Sequence, residues 1–203
     1  MGSARLILNI NMSSNFYQQS TLNKSRADKF RMVFTIPAAL RKINRKQERS
    51  NSTIKEDSMQ LSIYGTIVPE IVVPALEIRY TGSTLYNSSH SKNPYPPVTV
   101  NFTIDNEYNN YWVIYKWLNL LHDEKTGTFD KTNLIDDDVF LDYQSNISIY
   151  GLDEYENNRI KFTYTKAFPT GVGGITYNYR DGLEIQSSFT FVYSQLHTEL
   201  LST

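Results

Sequence analysis

Cysteine is absent from this 203-residue chain, which removes disulfides, thiol nucleophiles and thiolate-bound zinc in one step. A surplus of one charge sign is missing too. Lys and Arg number 20 against 21 Asp and Glu, for a formal net charge of −1. Such a chain offers no global cationic field for gripping nucleic acid, which argues against a tight DNA binder but not against a passage for DNA. No apolar run approaches the ~20 residues that cross a bilayer. Residues 6–10 form the most apolar N-terminal run and are too short for the core of a signal peptide. Leu6 also stands where a myristoylation motif opening at Gly2 requires Ser or Thr. The expectation is a soluble chain with no membrane anchor. His90, His122 and His197 are the three histidines and lie in unrelated contexts, with no Gly-x-Ser-x-Gly, phosphate-loop or metal-binding spacing near them. No enzyme, metal or cofactor is expected.

Alanine is scarce, while 15 Tyr and 10 Phe accompany abundant Asn, Ser and Thr. That mixture suits strands and turns better than helices. The length allows one domain with a sizeable core plus extensions. Residues 1–28 carry a polar tract without sustained period and read as an N-terminal arm, in which Leu6, Leu8, Phe16 and Tyr17 can anchor on a neighbour. Residues 29–203 read as a β domain. Its first strand spans 29–37, with Phe30, Met32, Phe34 and Ile36 on one face and Pro37 ending it. Alternation returns at 58–66 (Met59, Leu61, Ile63), in a bent strand at 71–80 broken by Pro74, at 98–104 (Val98, Val100, Phe102, Ile104) and at 143–150 (Ile147, Ile149).

Long connections separate these strands, at 38–57, 81–97 and 125–142. The first is the most charged part of the chain. It sets Arg41, Lys42, Arg45, Lys46, Arg49 and Lys55 against Glu48, Glu56 and Asp57, without a core-facing period, and reads as an exposed loop. The second, rich in Ser, Asn and Pro, reads as irregular. The third holds Asp136, Asp137 and Asp138, which lack the spacing and turn glycine of a calcium loop. One helix is predicted. Asp105 or Asn106 can accept from its free N–H groups, and Tyr111, Ile114, Tyr115, Leu118 and Leu121 share a face with Trp112 at its border. His122 and Lys125 suit its end, and Gly127 can close it. Trp112 and Trp117 at helical spacing belong to a core or interface rather than to a sugar-stacking platform.

The most informative stretch is 159–194. Ile160, Phe162 and Tyr164 alternate with polar residues, as do Leu183, Ile185, Phe189, Phe191 and Tyr193, over about ten residues in the second case. Between them Pro169, Gly171, Gly173 and Gly174 predict a long loop without regular structure. Residues 167–189 resemble the closing part of the tail tube proteins of contractile-tailed bacteriophages. In that family an aromatic-Pro-Thr-x-Val-Gly turn, matched by Phe168, Pro169, Thr170, Val172 and Gly173, leads to a strand and a polar turn. Glu-Ile-Gln, matched by Glu184, Ile185 and Gln186, then opens the last strand ahead of Phe189. The order of elements along residues 29–196 is similar as well, with loops 38–57 and 81–97 enlarged.

The resemblance implies a mainly β fold, a β-sandwich or half-open barrel with one flanking α-helix, related to the type VI secretion tube protein. It implies six copies closing into a ring with a β-lined channel, and rings stacking into the inner tail tube through which DNA passes. Sheath, baseplate and terminator proteins would be partners, and the virion tail, assembled in host cytoplasm, the location. A tube-initiating baseplate protein of the same fold is a close alternative. A carbohydrate-binding β-sandwich of a tail fibre is an alternative of another class. Inter-subunit contacts are expected at Arg41, Arg45, Lys46 and Arg49, at Phe16 and Tyr17 of the arm, and at Pro169 and Val172.

Overall fold

A computed structural model describes residues 24–45, 58–60, 62–130, 132, 143–180 and 182–201. The expected strand at 29–37 is β1 (Phe30–Thr35), and its alternation does what the sequence requires. Met32 and Phe34 are fully buried, while Arg31 and Thr35 face out. Pro37 then begins a helix instead of only ending a strand. Its carbonyl accepts from the N–H groups of Leu40 and Arg41, 3.1 and 3.4 Å away, and α1 (Ala38–Arg45) follows.

This corrects the reading of 38–57 as loop from its start. Ile36, Ala39, Leu40 and Asn44 are buried and Ile43 is half-buried, a stripe at three- and four-residue spacing. The cations between its members hid it. Among the described residues, two helices and not one therefore flank the sheet.

The strand expected at 58–66 is split. β2 (Ser58–Gln60) pairs with β1, whereas β3 (Ile63–Gly65) pairs with β6 (Val98–Thr103). With β7 (Ser145–Leu152), β8 (Asn158–Val172) and β9 (Gln186–Val192), the order is β2-β1-β7-β8-β9-β6-β3, and β10 (Gln195–Leu200) pairs with β8. The two ends of that path are consecutive in the chain, so the polypeptide passes from one margin to the other between Gln60 and Ile63. A twisted sheet whose margins are joined in this way curls toward a barrel.

β8 is the hinge of this curl. Its first half pairs with β7 and β10, and its second half with β9. Lys166 sits between the halves with φ 53°, a left-handed conformation that makes a bulge and bends the strand. The 15-residue length of β8 overturns the expectation that Pro169 and Gly171 lie in a loop: both are in the strand, and Pro169 is opposite Phe191. A proline is tolerated there because irregular pairing between Pro169 and Gly171 relieves its missing donor. The strand expected over 183–193 is likewise shorter at its start. β9 opens at Gln186, and β10, not foreseen, follows after two residues.

Side chains from the two halves meet in one core. Tyr164 meets Phe191 edge-on at 5.3 Å, and Phe102 meets Phe189 at 6.0 Å. α2 (Asn109–Leu118) adds Val113, Ile114 and Trp117 to this core. Asp105 supports its start as expected, with one carboxylate oxygen accepting from Asn109 N–H at 2.7 Å and the other from Asn110 N–H at 3.2 Å. The predicted face is rotated: Asn110, Val113, Ile114 and Trp117 are buried, and Tyr115 is exposed. Trp117 explains the rotation. Its indole N–H donates to the Tyr143 carbonyl at 2.6 Å, and its ring lies 5.8 Å from Phe34. The helix ends at Leu118, before His122, and Gly127 (φ 67°) serves the following turn instead.

The connection 81–97 is corrected as well. β4 (Ala75–Tyr80) turns through Thr81 and Gly82, the latter at φ 82°, into β5 (Ser83–Ser88), a two-stranded hairpin outside the main sheet.

Candidate assembly surface

The pleat that points Met32, Ile149 and Phe162 inward turns their neighbours outward, and pairing sets these in rows. One row runs Val33, Ser148, Thr163, His197; the next runs Arg31, Tyr150, Lys161, Glu199. Beyond the bend of β8, Thr99 pairs with Thr190, Asn101 with Ser188 and Thr103 with Gln186. The Thr99 and Thr190 hydroxyls are 3.0 Å apart, and Thr170 Oγ1 donates to the Thr190 carbonyl at 3.2 Å. Beyond the bend the outer side is therefore mostly hydroxyl and amide groups, which hydrate well, while the row across β1, β7, β8 and β10 adds Arg31, Lys161 and Glu199.

Ion pairs lie at the end of β7 and the start of β8 and beside Lys29. Arg159 pairs with Asp153 at 2.9 Å and Lys29 with Glu156 at 3.4 Å. Asp153 is held by several donors. Burial pushes its pKa up, but hydrogen bonds from Asn157, Arg159 and the backbone N–H of Tyr155 outweigh that and leave it lowered. Arg31 and Lys161 both lie against one aromatic group, 5.1 and 5.8 Å from the Tyr150 ring centre. A cleft is lined by Lys24, Ser25, Arg26, Lys29, Asp153 and Arg159 among others.

Among the described residues no strand pairs beyond the sheet's margins: β2 and β3 are three residues long, and β10, six residues long, has a partner on one side. Unpaired strand edges template further pairing unless something covers them.

The residues predicted from sequence fall in separate places. Arg41 is half-buried on α1, and Arg45 is the last residue of that helix. Lys46, Arg49, Phe16 and Tyr17 lie outside the described residues, as do Asp136, Asp137 and Asp138. Pro169 is buried within β8, and Val172 is half-buried against the core at its end. The structure thus groups Arg41 with Arg45, and Pro169 with Val172, without joining the two pairs in one element. Sequence reasoning missed the hairpin. The signal available was a Thr-Gly turn between Ile78 and Leu85 at matched distance. Among the described residues no group of three or more His, Asp and Glu is placed to hold a metal, and no helix is long and apolar enough to cross a membrane.

Comparison with known proteins bears on family and fold. The sequence model of a family described as "Phage tail tube protein" matches residues 25–199. No curated protein matches. Among solved structures, a chain of the extended-state sheath–tube complex of an extracellular contractile injection system, PVC, is similar with a TM-score of 0.57 at 8% identity, over 93% of this chain and 100% of that one. A chain of the anti-feeding prophage baseplate is similar with a TM-score of 0.56 at 9% identity, over 87% and 95%. Hcp1 from Salmonella typhimurium reaches 0.44 at 9% identity, over 85% and 87%, too weak a likeness to build on. At such identities the first two establish shared fold alone.

Proposed function

Because the chain belongs to the phage tail tube protein family, a family of structural and not enzymatic proteins, we propose that six copies close into a ring and that rings stack into a tube conducting DNA. The observation that carries this reading is the two-sided sheet. One side is sealed against the chain's own core and helices, the other is a polar surface, and among the described residues nothing pairs with the margins. Ring closure covers such margins, because each copy's edge meets a neighbour. A lining of Thr, Ser, Asn and Gln neutralises few phosphates and releases few counterions, so passing DNA is held weakly and moves.

The family match spans the β domain and removes the ground for the carbohydrate-binding alternative. The likeness to a chain in a sheath–tube complex supports a sheath around the tube. The likeness to a baseplate chain favours, as a second reading, a tube-initiating ring of the same fold, and copy number per particle separates the two. Terminator proteins complete the partner set. Residues 1–28 serve as an arm on a neighbouring copy, with Phe16 and Tyr17 as its anchors. Arg41, Arg45, Lys46 and Arg49 form the charged contact between copies, and Pro169 and Val172 shape the strand end that meets the next copy.

Negative-stain microscopy of the purified protein, with and without a baseplate, tests the proposal. Rings of six and tubes are expected. A lone compact particle at high concentration would overturn it. Reversing the charges at Arg45, Lys46 and Arg49 should shorten tubes, and unchanged tubes would remove the charged contact.

A further inference from the structure

Two cations converge on one tyrosine in the row that crosses β1, β7, β8 and β10. Pairing sets Arg31 opposite Tyr150 and Tyr150 opposite Lys161, so the tyrosine stands between them. The Arg31 guanidinium carbon is 5.1 Å from the ring centre and Lys161 Nζ is 5.8 Å from it, which leaves the two charges no more than about 11 Å apart. Among the described residues neither has a carboxylate partner. Lys29 and Arg159, two residues before them in the chain, are by contrast paired with Glu156 and Asp153. Glu199 stands opposite Lys161 on β10, yet no ion pair joins them.

The ring holds each cation weakly, and two like charges drawn to it repel one another. An anion between them turns that repulsion into attraction. Arginine presents a planar fork that fits phosphate oxygens, and lysine adds a point charge that needs no fixed angle. Arg31 is exposed, with Tyr150 and Lys161 half-buried, so the pair meets a chain lying along the sheet instead of a small ion enclosed in it. The next row, Val33, Ser148, Thr163 and His197, brings no carboxylate to oppose such a chain. Duplex DNA carries one charge per about 1.7 Å of its axis, so several phosphates lie across a gap of this width at any moment. An acidic peptide would bring apolar and amide groups as well, and Tyr150, the aromatic member of the row, is already taken by the two cations.

We propose that Arg31 and Lys161, held in place by Tyr150, form a clamp for the phosphodiester backbone of double-stranded DNA. This rests on the ring-and-tube reading, in which this side of the sheet faces the passage, and it names where the passing chain touches the wall. The clamp then recurs once per copy around the ring. Contacts to phosphate alone carry no sequence information and let DNA slide from one register to the next. Glu199 limits the grip, because its carboxylate beside Lys161 repels the same phosphates that the cations attract. A polymer that has to keep moving is served by a contact of this strength.

The clamp lies within one copy, so binding is measured on the full-length chain at concentrations too low for assembly. By fluorescence anisotropy the parent should bind a short fluorescein-labelled duplex of mixed sequence, with an affinity that falls as salt rises. Arg31→Gln/Lys161→Gln should bind about tenfold more weakly in low salt and flatten the slope of log K against log salt by about 2. Glu199→Gln should bind more tightly than the parent, a gain that a misfolded variant cannot mimic. Arg79→Gln, on β4 and outside the row, should bind as the parent does. No binding by the parent, or equal binding by the parent and Arg31→Gln/Lys161→Gln, refutes the clamp, and the tube reading still stands if the parent forms tubes under the microscope. A parent that never assembles but loses the duplex in Arg31→Gln/Lys161→Gln leaves the clamp in place and removes the tube. Labelled polyglutamate bound more tightly than the duplex would assign the row to an acidic protein and also refute the proposal.

Discussion

Replacing Tyr164 by Phe should stabilise this protein, and by more in alkali than at neutral pH. Tyr164 is fully buried, edge-on to Phe191 at 5.3 Å and to Tyr193 at 4.8 Å. Among the described residues its hydroxyl has no hydrogen-bond partner. A buried donor left unpaired costs about 1–3 kcal/mol, and losing one oxygen's packing contacts offsets part of the gain from removing it. A net increase of about 1 kcal/mol is expected at pH 7, or roughly 2–4 °C in Tm for a chain of this size. Burial first, and then the neighbouring Tyr193, hold the phenol well above its ordinary pKa. The unfolded chain therefore releases this proton first. The parent's stability is complete below the unfolded value near pH 10 and falls as pH rises from there toward the folded value. At pH 11 the loss from this group is about 1.4 kcal/mol, so the variant's advantage grows to about 2–3 kcal/mol. Denaturant unfolding of parent and variant at pH 7 and pH 11 measures both numbers. A variant less stable than the parent at pH 7, with the same loss in alkali, would refute the reasoning and place a hydrogen-bond partner on the hydroxyl. Tyr193 is pushed up to about 12, by burial and then by Tyr95, but it is only half-buried, and Tyr193→Phe should change the alkaline limb less.

Asp105→Ala removes both acceptors at the start of α2 and should cost about 0.5–2 kcal/mol, read as a lower denaturant midpoint, with Asp105→Asn recovering part of it. Trp117→Phe keeps the ring against Phe34 but leaves the Tyr143 carbonyl without its indole donor, at a cost of about 1–3 kcal/mol in the same assay. Gly173→Ala should destabilise because a Cβ there meets the Ser188 backbone nitrogen at 3.0 Å and carbonyl oxygen at 3.1 Å; unchanged stability would mean that this strand end yields easily. Asp153 has a lowered pKa in the folded chain, so its contribution is fully present above the unfolded carboxylate value and is lost as pH falls from there through the lower folded value. Tm against pH should show Asp153→Asn less stable than the parent at pH 7 and equal to it in strong acid.

The strands that seal the core were legible because each carries one buried face. Met32 with Phe34, Val98 with Phe102, and Ile147 with Ile149 all fall where a two-residue period puts them. Elements with a weaker period were misread. The stripe of α1 is broken by Arg41 and Lys42, and β5 is Ser-, Thr- and Asn-rich because no core demands otherwise. Pro169 and Gly171 looked like loop residues, yet an irregular stretch of pairing in a long strand tolerates both. The candidate surface was half legible. Its polar rows follow from alternation, but the apolar hairpin face emerges only once β4 and β5 are set in register.

Composition and alternation determined by themselves that this is a mainly β chain with a sealed face and a hydrated one, since burying every second side chain leaves no other arrangement. The Pro-Thr-x-Val-Gly and Glu-Ile-Gln segments pointed to its family. Only the tertiary structure decided where strands begin and end around the bend at Lys166. It alone decided that β2 and β3 divide between the two margins of the sheet and that the 75–88 ribbon is exposed among the described residues. Those outcomes depend on which partners residues distant in the chain find, and no local pattern encodes that.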